Sequence, residues 1–456
     1  MSRLSRPVIG THRRIAAAVV ALLALALSAC AAPGSSPSST ATAVTIPDTP
    51  VGKKTQWILD VLNAGEDTTA AEWEDELHES FLEQVSADEV ADLLNRQVRP
   101  AKPLIPTAYR GSELEAVTTI AGTLGDPFDL NLVIDEDGLI TGLLLSPAAS
   151  EREPATSLGE VEKRFAALPA DVRVLVTLDD KALIETDAET AAPLASVFKL
   201  YVLDAVGEAV RGGTLSWTDT VVVTDDARSL PTGELQDLPA GTAVPVREAA
   251  QKMIEISDNT ATDLLIQKVG RDAVESAVGR LDVADPEGLR PFPTTREAFA
   301  LLWGGHDALV EQWSTGDETA KRAVLEALKT EPFDITVSDV TDATGWDRGI
   351  EWFASAEDVT TAHRALHELG RTVPEVRDIL GANPGIQLDR DDWPYVAFKG
   401  GSSPGVLTGS WLAERADGTV LTVVVLASTD DPASLSSPAS ELFGLVQDVF
   451  ALTAKD

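Results

Sequence analysis

The chain has 456 residues, of which 44% are hydrophobic and 24% charged, so it is long enough for two or three globular domains. Its 36 basic and 73 acidic residues give a formal net charge of −37. A surface of this sign repels phosphate backbones and anionic headgroups, which argues against a nucleic-acid partner.

The N-terminus predicts an exported lipoprotein. Arg13 and Arg14 precede the apolar run "IAAAVVALLALALSAC", which is too short to span a bilayer comfortably. The end of this run, Leu27–Cys30, resembles the lipobox of bacterial lipoproteins, in which the cysteine is lipidated and becomes the first mature residue. Cys30 is the only cysteine, so no internal disulfide can form. Residues 1–30 are therefore predicted to be a lipoprotein signal peptide, with export by the Sec or the twin-arginine route left open.

The next segments predict a tether and a small domain. Residues 31–50 are rich in Ser, Thr and Pro without an apolar period, as in a flexible spacer. Apolar residues then recur at helical spacing over 55–98, and the strand-like runs "AVTTIAGTL", "DLNLVIDEDG" and "LITGLLLS" follow. Helices followed by an antiparallel hairpin predict a small α+β domain over 51–150.

The remainder, 151–456, predicts a second, larger domain. Strand patterns occur at both of its ends, in "VRVLVTLDD", "YVAFKGG", "VLTGSWLAE" and "TVLTVVVLA", and the sequence between them is mostly helical. One antiparallel sheet built from both chain ends, flanked by helices and carrying an inserted helical lobe, accounts for this order. A last helix, about 438–452, is expected to cover one face of the sheet through Leu442, Leu445, Val446 and Val449.

A serine and a lysine stand out in "APLASVFKLYVLDAV". The helix predicted from Val197 is apolar all round, as in a helix buried on every side. Ser196 and Lys199 share a face at i and i+3, and burial lowers the pKa of a lysine so that it can accept a serine proton. A purely structural interpretation is also possible, in which the serine caps the helix and the lysine extends to the surface.

Two further segments carry polar groups suited to a site. Ser257, Asp258 and Asn259 fall between two predicted helices, where Asp and Asn also serve simply as caps. In "VAFKGGSSPG", a strand bears Lys399 and then Gly400 and Gly401, which permit close approach of a backbone or a ligand, or mark a bulge.

In the order Ser-x-x-Lys, Ser-Asp-Asn, Lys-Gly-Gly, these elements closely resemble the signatures of class A β-lactamases and penicillin-binding proteins. "SVFKLYVL" and "SDNTATDLLI" read like family sequence beyond the motif letters, and the resemblance covers about 155–456. It implies an α/β (α+β) β-lactamase/transpeptidase-like fold. It also implies hydrolysis through an acyl-enzyme, without a cofactor or metal ion.

The resemblance also implies roles for individual residues. Ser196 is expected to be the acylated nucleophile, Lys199 its general base, and Ser257 the proton relay to the leaving nitrogen. Asn259 is expected to hold the substrate's amide side chain and Lys399 its carboxylate, while Asp258 braces the turn. The backbone N–H groups of Ser196 and Ser402, the latter following Gly400 and Gly401, are expected to form the oxyanion hole.

The chain departs from class A β-lactamases in one respect. Their Glu-x-x-Leu-Asn segment, whose glutamate activates the deacylating water, is missing from "LDVADPEGLRPFPTTREAFALL". Glu287 is the nearest carboxylate and Glu297 is expected on the next helix, so acylation is expected to be retained and deacylation to be slow. The shortened loop and the preceding domain resemble two-domain hydrolases encoded near clavulanic-acid biosynthesis, which have an isomerase-like, cone-shaped N-terminal domain.

Two other enzyme classes fit the sequence poorly. Gly-x-Ser-x-Gly around Ser403 resembles an α/β-hydrolase elbow, but Pro404 has no N–H for the oxyanion and no histidine follows. His363 and His367 stand at i and i+4, yet the glutamate of His-Glu-x-x-His is missing, so no metal site is predicted.

The sequence thus predicts a lipid-anchored serine hydrolase, a weak β-lactamase or esterase acting on a small-molecule β-lactam, ester or cell-wall peptide. Two alternatives stay open: a penicillin-binding or sensor lipoprotein without turnover, and a D,D-peptidase-like cell-wall enzyme.

Overall fold

The computed structural model describes residues 43–454, except 83–84, 124–126, 136, 149–151, 180, 231, 337–338, 387 and 436–437. The chain divides into two compact units between Glu151 and Arg152. The predicted signal peptide, Cys30 and most of the predicted tether lie outside the described residues. Within the part of the chain that is described, none of the helices has the length and apolar character needed to cross a bilayer.

The N-terminal unit has an α+β organisation. Its helices are α1 (Pro50–Asn63), α2 (Ala70–Glu74), α3 (Glu79–Leu82) and α4 (Ala87–Leu93). Its described strands, β1 (Ile105–Gly111), β2 (Glu115–Ala121), β3 (Phe128–Ile134) and β4 (Ile140–Pro147), form an antiparallel sheet in the order β1-β2-β3-β4. The sequence did not predict β1, because its residues are mostly half-buried or exposed and lack the alternation of a strand with one buried face. The core lies between the helices and the sheet and includes Trp73, Phe81 and Leu130.

The second unit is organised around one sheet made from both of its ends, as predicted. Its strands are β5 (Asp171–Leu178), β6 (Lys181–Thr186), β11 (Tyr395–Ser403), β12 (Val406–Glu414) and β13 (Val420–Ser428). The order β11-β12-β13-β5-β6 is antiparallel throughout, with Lys399 opposite Ser410 and Val423 opposite Val176. The short strands β7 (Ala192–Pro193), β8 (Thr220–Val222), β9 (Ala243–Pro245) and β10 (Phe353–Ala354) pair outside this sheet.

Helices cover this sheet and build the inserted lobe. They are α5 (Leu158–Phe165), α6 (Lys199–Arg211), α7 (Val246–Glu255), α8 (Asn259–Val269), α9 (Arg271–Arg280), α10 (Thr295–Trp303), α11 (Asp307–Thr315), α12 (Glu318–Leu328), α13 (Ala356–Thr372), α14 (Pro374–Leu380) and α15 (Ala439–Thr453). The final helix α15 buries the four apolar residues that the sequence pattern predicted. They join one core cluster with the sheet residues Val174, Trp411 and Val423, which confirms that this helix covers a sheet face.

The helix α6 runs through the largest core cluster. From Lys199 to Gly207 every residue of α6 is buried, in agreement with its apolar pattern. A helix without a polar face must be surrounded on all sides, and α8, α9 and α13 pack against α6. This packing brings the beginning of α6 to the centre of the unit, where the predicted site residues lie.

Candidate active site

The predicted nucleophile lies on a strained turn. A short 3-10 helix, Ala195–Phe198, carries Ser196 and leads directly into α6 at Lys199. Ala195 has a φ of 43°, a left-handed conformation that is unfavourable for a residue with a side chain. The Phe198 ring stacks on Trp352 with 3.7 Å between ring centroids. Packing therefore holds the turn in a conformation that the local sequence would not favour.

The amine of Lys199 is completely buried and fully engaged. Its Nζ donates to the Ser257 carbonyl oxygen at 2.6 Å and to Asn259 Oδ1 at 2.7 Å, and lies 3.0 Å from Ser257 Oγ. The first two partners can only accept, whereas a hydroxyl can accept or donate. A neutral amine can therefore satisfy both N–H groups here and still offer its lone pair to the hydroxyl.

Electrostatics favour that neutral form. Burial holds the pKa of Lys199 well below its usual range, and the neighbouring Lys399 lowers it further, against an opposing influence of Asp258 and Asp263. Burial also lowers the pKa of Lys399 to about 7. Both amines lie 3.0 Å from the same Ser257 hydroxyl oxygen, so proton transfer among these three groups needs no rearrangement of the chain.

One expectation about Lys199 differs in detail. The i and i+3 spacing predicted a direct contact with Ser196, but within the described residues the hydrogen bonds of Lys199 go to Ser257 and Asn259. The packing of α8 against α6 brings the Ser257–Asn259 turn beside the Lys199 amine. Catalytic hydrogen bonds are often long before substrate binds, so the base role of Lys199 stays a prediction.

The Ser257–Asn259 turn lies between α7 and α8, where the sequence placed it. Ser257 has a φ of 60°, a second strained residue at the site. Asp258 caps α8 by accepting from Ala261 N–H at 2.7 Å, and it also accepts from the N–H groups of Glu234 and Leu235, at 2.7 and 2.9 Å. Asp258 thus holds the turn against the loop 229–238.

Asn259 is almost fully buried, with 6% of its surface exposed. Its Nδ2 donates to the Leu230 carbonyl oxygen at 3.1 Å, which orients Oδ1 toward the Lys199 amine. The structure therefore shows Asn259 positioning Lys199, in addition to its predicted role toward the amide side chain of a substrate, which stays a prediction.

Strand β11 brings Lys399 and its glycines to the same place. An added Cβ on Gly401 would lie 2.6 Å from the Ser196 backbone nitrogen and 2.7 Å from the Leu194 carbonyl oxygen, so only glycine fits here. An added Cβ on Gly400 would instead lie 2.7 Å from the Phe398 ring. Ser402 follows, exposed near the end of β11, and its predicted contribution to the oxyanion hole stays a prediction.

The two carboxylates considered for deacylation lie in unfavourable places. Glu287 is exposed on the short 3-10 helix Pro286–Leu289. Glu297 accepts from the Thr294 N–H at 2.7 Å and forms an ion pair with Arg271 at 2.7 Å. Glu297 therefore has a structural role in the capping box at the start of α10, and a deacylating role for either carboxylate stays untested.

Sequence reasoning missed a buried carboxylate, that of Glu351. It is 8% exposed and accepts from Ser403 Oγ at 2.7 Å, so the serine of the rejected α/β-hydrolase motif is its hydrogen-bond donor. The sequence did contain an indication of this buried charge. Glu351 is the one charged residue in the segment "GIEWFA", just as Lys199 interrupts an apolar run.

The two histidines have separate environments. His363 is buried with Nε2 3.0 Å from Ser410 Oγ, and burial lowers its pKa to about 4. His367 lies near Glu414 instead. Among the described residues no group of three or more His, Cys, Asp or Glu side chains could hold a metal ion.

Fold and geometry together define a domain with the fold of β-lactamases and penicillin-binding proteins. Residues 158–369 match the family described as "Beta-lactamase enzyme family", and residues 46–140 match "ORF 12 gene product N-terminal". The second unit is thus similar to the beta-lactamase enzyme family over residues 158–369. The matched stretch includes Ser196, Lys199 and Ser257–Asn259 but ends before Lys399, so the placement of Lys399 rests on the geometry above.

Several solved structures are similar to the chain. A β-lactamase from Sphaerobacter thermophilus is 18% identical, with a TM-score of 0.44, covering 65% of this chain and 97% of that one. PBP-A is 16% identical, with a TM-score of 0.43, covering 66% and 98%. A β-lactamase from Francisella tularensis is 11% identical, with a TM-score of 0.43, covering 63% and 97%. No curated protein matches the chain.

Proposed function

We propose that the second unit is a serine hydrolase that cleaves β-lactam amide or ester bonds through an acyl-enzyme on Ser196. The observation that carries this proposal is the pair of buried amines, Lys199 and Lys399, each 3.0 Å from the Ser257 hydroxyl oxygen. Two buried lysines around one hydroxyl are costly for stability, and general-base and relay chemistry explains why such an arrangement is present.

In this mechanism neutral Lys199 accepts the Ser196 proton as the Ser196 oxygen attacks the substrate carbonyl. The oxyanion lies between the backbone N–H groups of Ser196 and Ser402. Ser257 then passes a proton to the leaving nitrogen or oxygen and is reprotonated by a neighbouring amine. The carbonyl–heteroatom bond breaks, and water later cleaves the Ser196 ester.

The test uses the mature chain, residues 31–456, with a chromogenic cephalosporin and a p-nitrophenyl ester. Turnover of either substrate that is lost in Ser196→Ala supports the hydrolase. A stable mass increase on Ser196 without turnover supports a penicillin-binding or sensor role instead. If the protein forms no adduct and turns over neither substrate, the proposal is contradicted.

We also propose that Cys30 is lipidated and anchors the protein to the outer face of the cytoplasmic membrane. The lipobox-like residues 27–30 support this, followed by a Ser/Thr/Pro-rich segment that can act as a spacer. In a bacterial host, Cys30→Ser should abolish labelling by a fatty-acid probe and release the protein from the membrane fraction. Unchanged labelling would contradict the anchor.

A further inference from the structure

A buried carboxylate lies behind the nucleophile turn. Glu351 precedes β10, which pairs with β7 so that Phe353 faces Pro193. The Leu194 N–H donates to the Trp352 carbonyl oxygen at 2.8 Å. The segment that carries Glu351 therefore runs directly beside the chain that enters the turn at Ser196.

Two hydrogen bonds hold this carboxylate. Ser403 Oγ donates to Oε1 at 2.7 Å and the Trp352 N–H donates to Oε2 at 3.1 Å. Burial raises the pKa of Glu351 to about 7, and the hydroxyl of Ser403 and the backbone N–H groups of Trp352 and Ala195 oppose this rise. The Glu351–Trp352 segment reaches both sides of the predicted oxyanion hole, because Ser403 follows Ser402 and Leu194, whose N–H binds the Trp352 carbonyl oxygen, precedes the Ala195–Ser196 turn.

We propose that Glu351 is a positioning residue that joins the Ala195–Ser196 turn to the Ser402–Ser403 end of β11, keeping the two oxyanion-binding N–H groups convergent. The inference rests on the proposed function, since an oxyanion hole is useful only if Ser196 is acylated.

Two features show why such a link is needed. Ala195 is held at a φ of 43°, a conformation that persists only where the surroundings determine it. Gly401 allows β11 to approach the turn closely, since an added Cβ would lie 2.6 Å from the Ser196 nitrogen. Close approach brings the two segments together. The Glu351–Trp352 segment hydrogen-bonds to both, through the Glu351 carboxylate to Ser403 and through the Trp352 carbonyl oxygen to the Leu194 N–H.

The experiment compares the wild type with Glu351→Gln, Glu351→Ala and Ser403→Ala. Glu311→Gln on α11 is the matched control, because it neutralises an exposed glutamate outside the site. Acylation by a cephalosporin is followed by stopped flow and intact mass, and the infrared stretch of the acyl-enzyme carbonyl reports its hydrogen bonding. Thermal melting identifies variants that are unfolded.

We expect both Glu351 variants to acylate about 100-fold more slowly, as when an oxyanion donor is lost, with an acyl carbonyl band at higher frequency and little change in KM. Ser403→Ala keeps the carboxylate and should show a smaller change in the same direction, so it tests the inference if the Glu351 variants do not fold. The control should match the wild type.

The outcomes separate the two proposals. A wild type that is never acylated overturns the proposed function and this inference with it. An acylated wild type whose folded Glu351 variants show the same rate and carbonyl band overturns the inference alone. So does a loss confined to deacylation, because Glu351 would then act on the hydrolytic water.

Discussion

The Lys199 amine donates to Asn259 Oδ1 across 2.7 Å, so its nearest side-chain carbonyl belongs to a neutral amide. Burial can therefore keep the pKa of Lys199 low, whereas a carboxylate at this position would stabilise the ammonium form. The chemical identity of residue 259 thus determines whether Lys199 can act as a base.

Asn259→Asp is expected to lower acylation at pH 7 by about 100-fold, the contribution of a general base. Because the added charge raises the pKa of Lys199, part of the activity should return as the pH increases. The measurement is the pH profile of the acylation rate, with Asn95→Asp in the N-terminal unit as the control for the same substitution. An unchanged profile in Asn259→Asp would mean that Lys199 is not the base.

Lys399 should make substrate binding pH-dependent. Burial lowers its pKa to about 7, and a lysine loses its positive charge as the pH rises through its pKa. The KM for a cephalosporin that bears a carboxylate should therefore increase by about tenfold per pH unit above this value, while the KM for an uncharged p-nitrophenyl ester stays level. Steady-state kinetics between pH 6 and 9 test this, and parallel KM curves for the two substrates would contradict it.

Gly401→Ala should reduce activity more than stability. Its Cβ would meet the Ser196 nitrogen at 2.6 Å and Thr408 Oγ1 at 2.7 Å, which moves β11 away from the nucleophile turn. We expect acylation to fall about 100-fold, as when an oxyanion donor is lost. Gly142→Ala on strand β4 is the matched control, because its added Cβ would meet Val133 at 3.4 Å, an ordinary contact. Similar acylation rates in the two variants would contradict the idea that close packing of β11 against the nucleophile turn is needed for acylation.

Asp258→Ala should be destabilising. The carboxylate is fully buried and accepts three backbone N–H groups, those of Ala261, Glu234 and Leu235, which the substitution leaves unsatisfied. A loss of about 3 kcal/mol or more in the free energy of unfolding is expected, measured by denaturant titration of the second unit's transition. Asp225→Ala, at a side chain that is 77% exposed, should change it by less than about 0.5 kcal/mol.

Deacylation should limit β-lactam turnover. Glu287 is exposed and Glu297 is bound to Arg271, so neither is poised to activate water. We expect a cephalosporin to give a burst of product close to one equivalent of enzyme, followed by slow turnover, with ester hydrolysis comparable or faster. Pre-steady-state product release measures this, and steady turnover at class A β-lactamase rates without a burst would contradict it.

Strong local patterns explain what could be predicted. The apolar run around Lys199 predicted a helix buried on every side, and strand patterns at both ends of 151–456 predicted their shared sheet. Strand β1 was missed because this half-exposed edge strand has no clear alternation of buried and exposed residues. Glu351 was missed because no motif carries it, and its importance arises from partners that are distant in sequence.

By itself the sequence determined the order of the elements, the burial of α6 and the presence of two lysines and two serines in motifs typical of one family. Only the tertiary structure decided that Lys199 binds Ser257 and Asn259, that both amines meet one hydroxyl, and that Glu351 reaches Ser403. The physical reason is that periodicity reports which face of an element is buried, whereas hydrogen bonds and pKa values depend on atoms brought together by packing between distant segments.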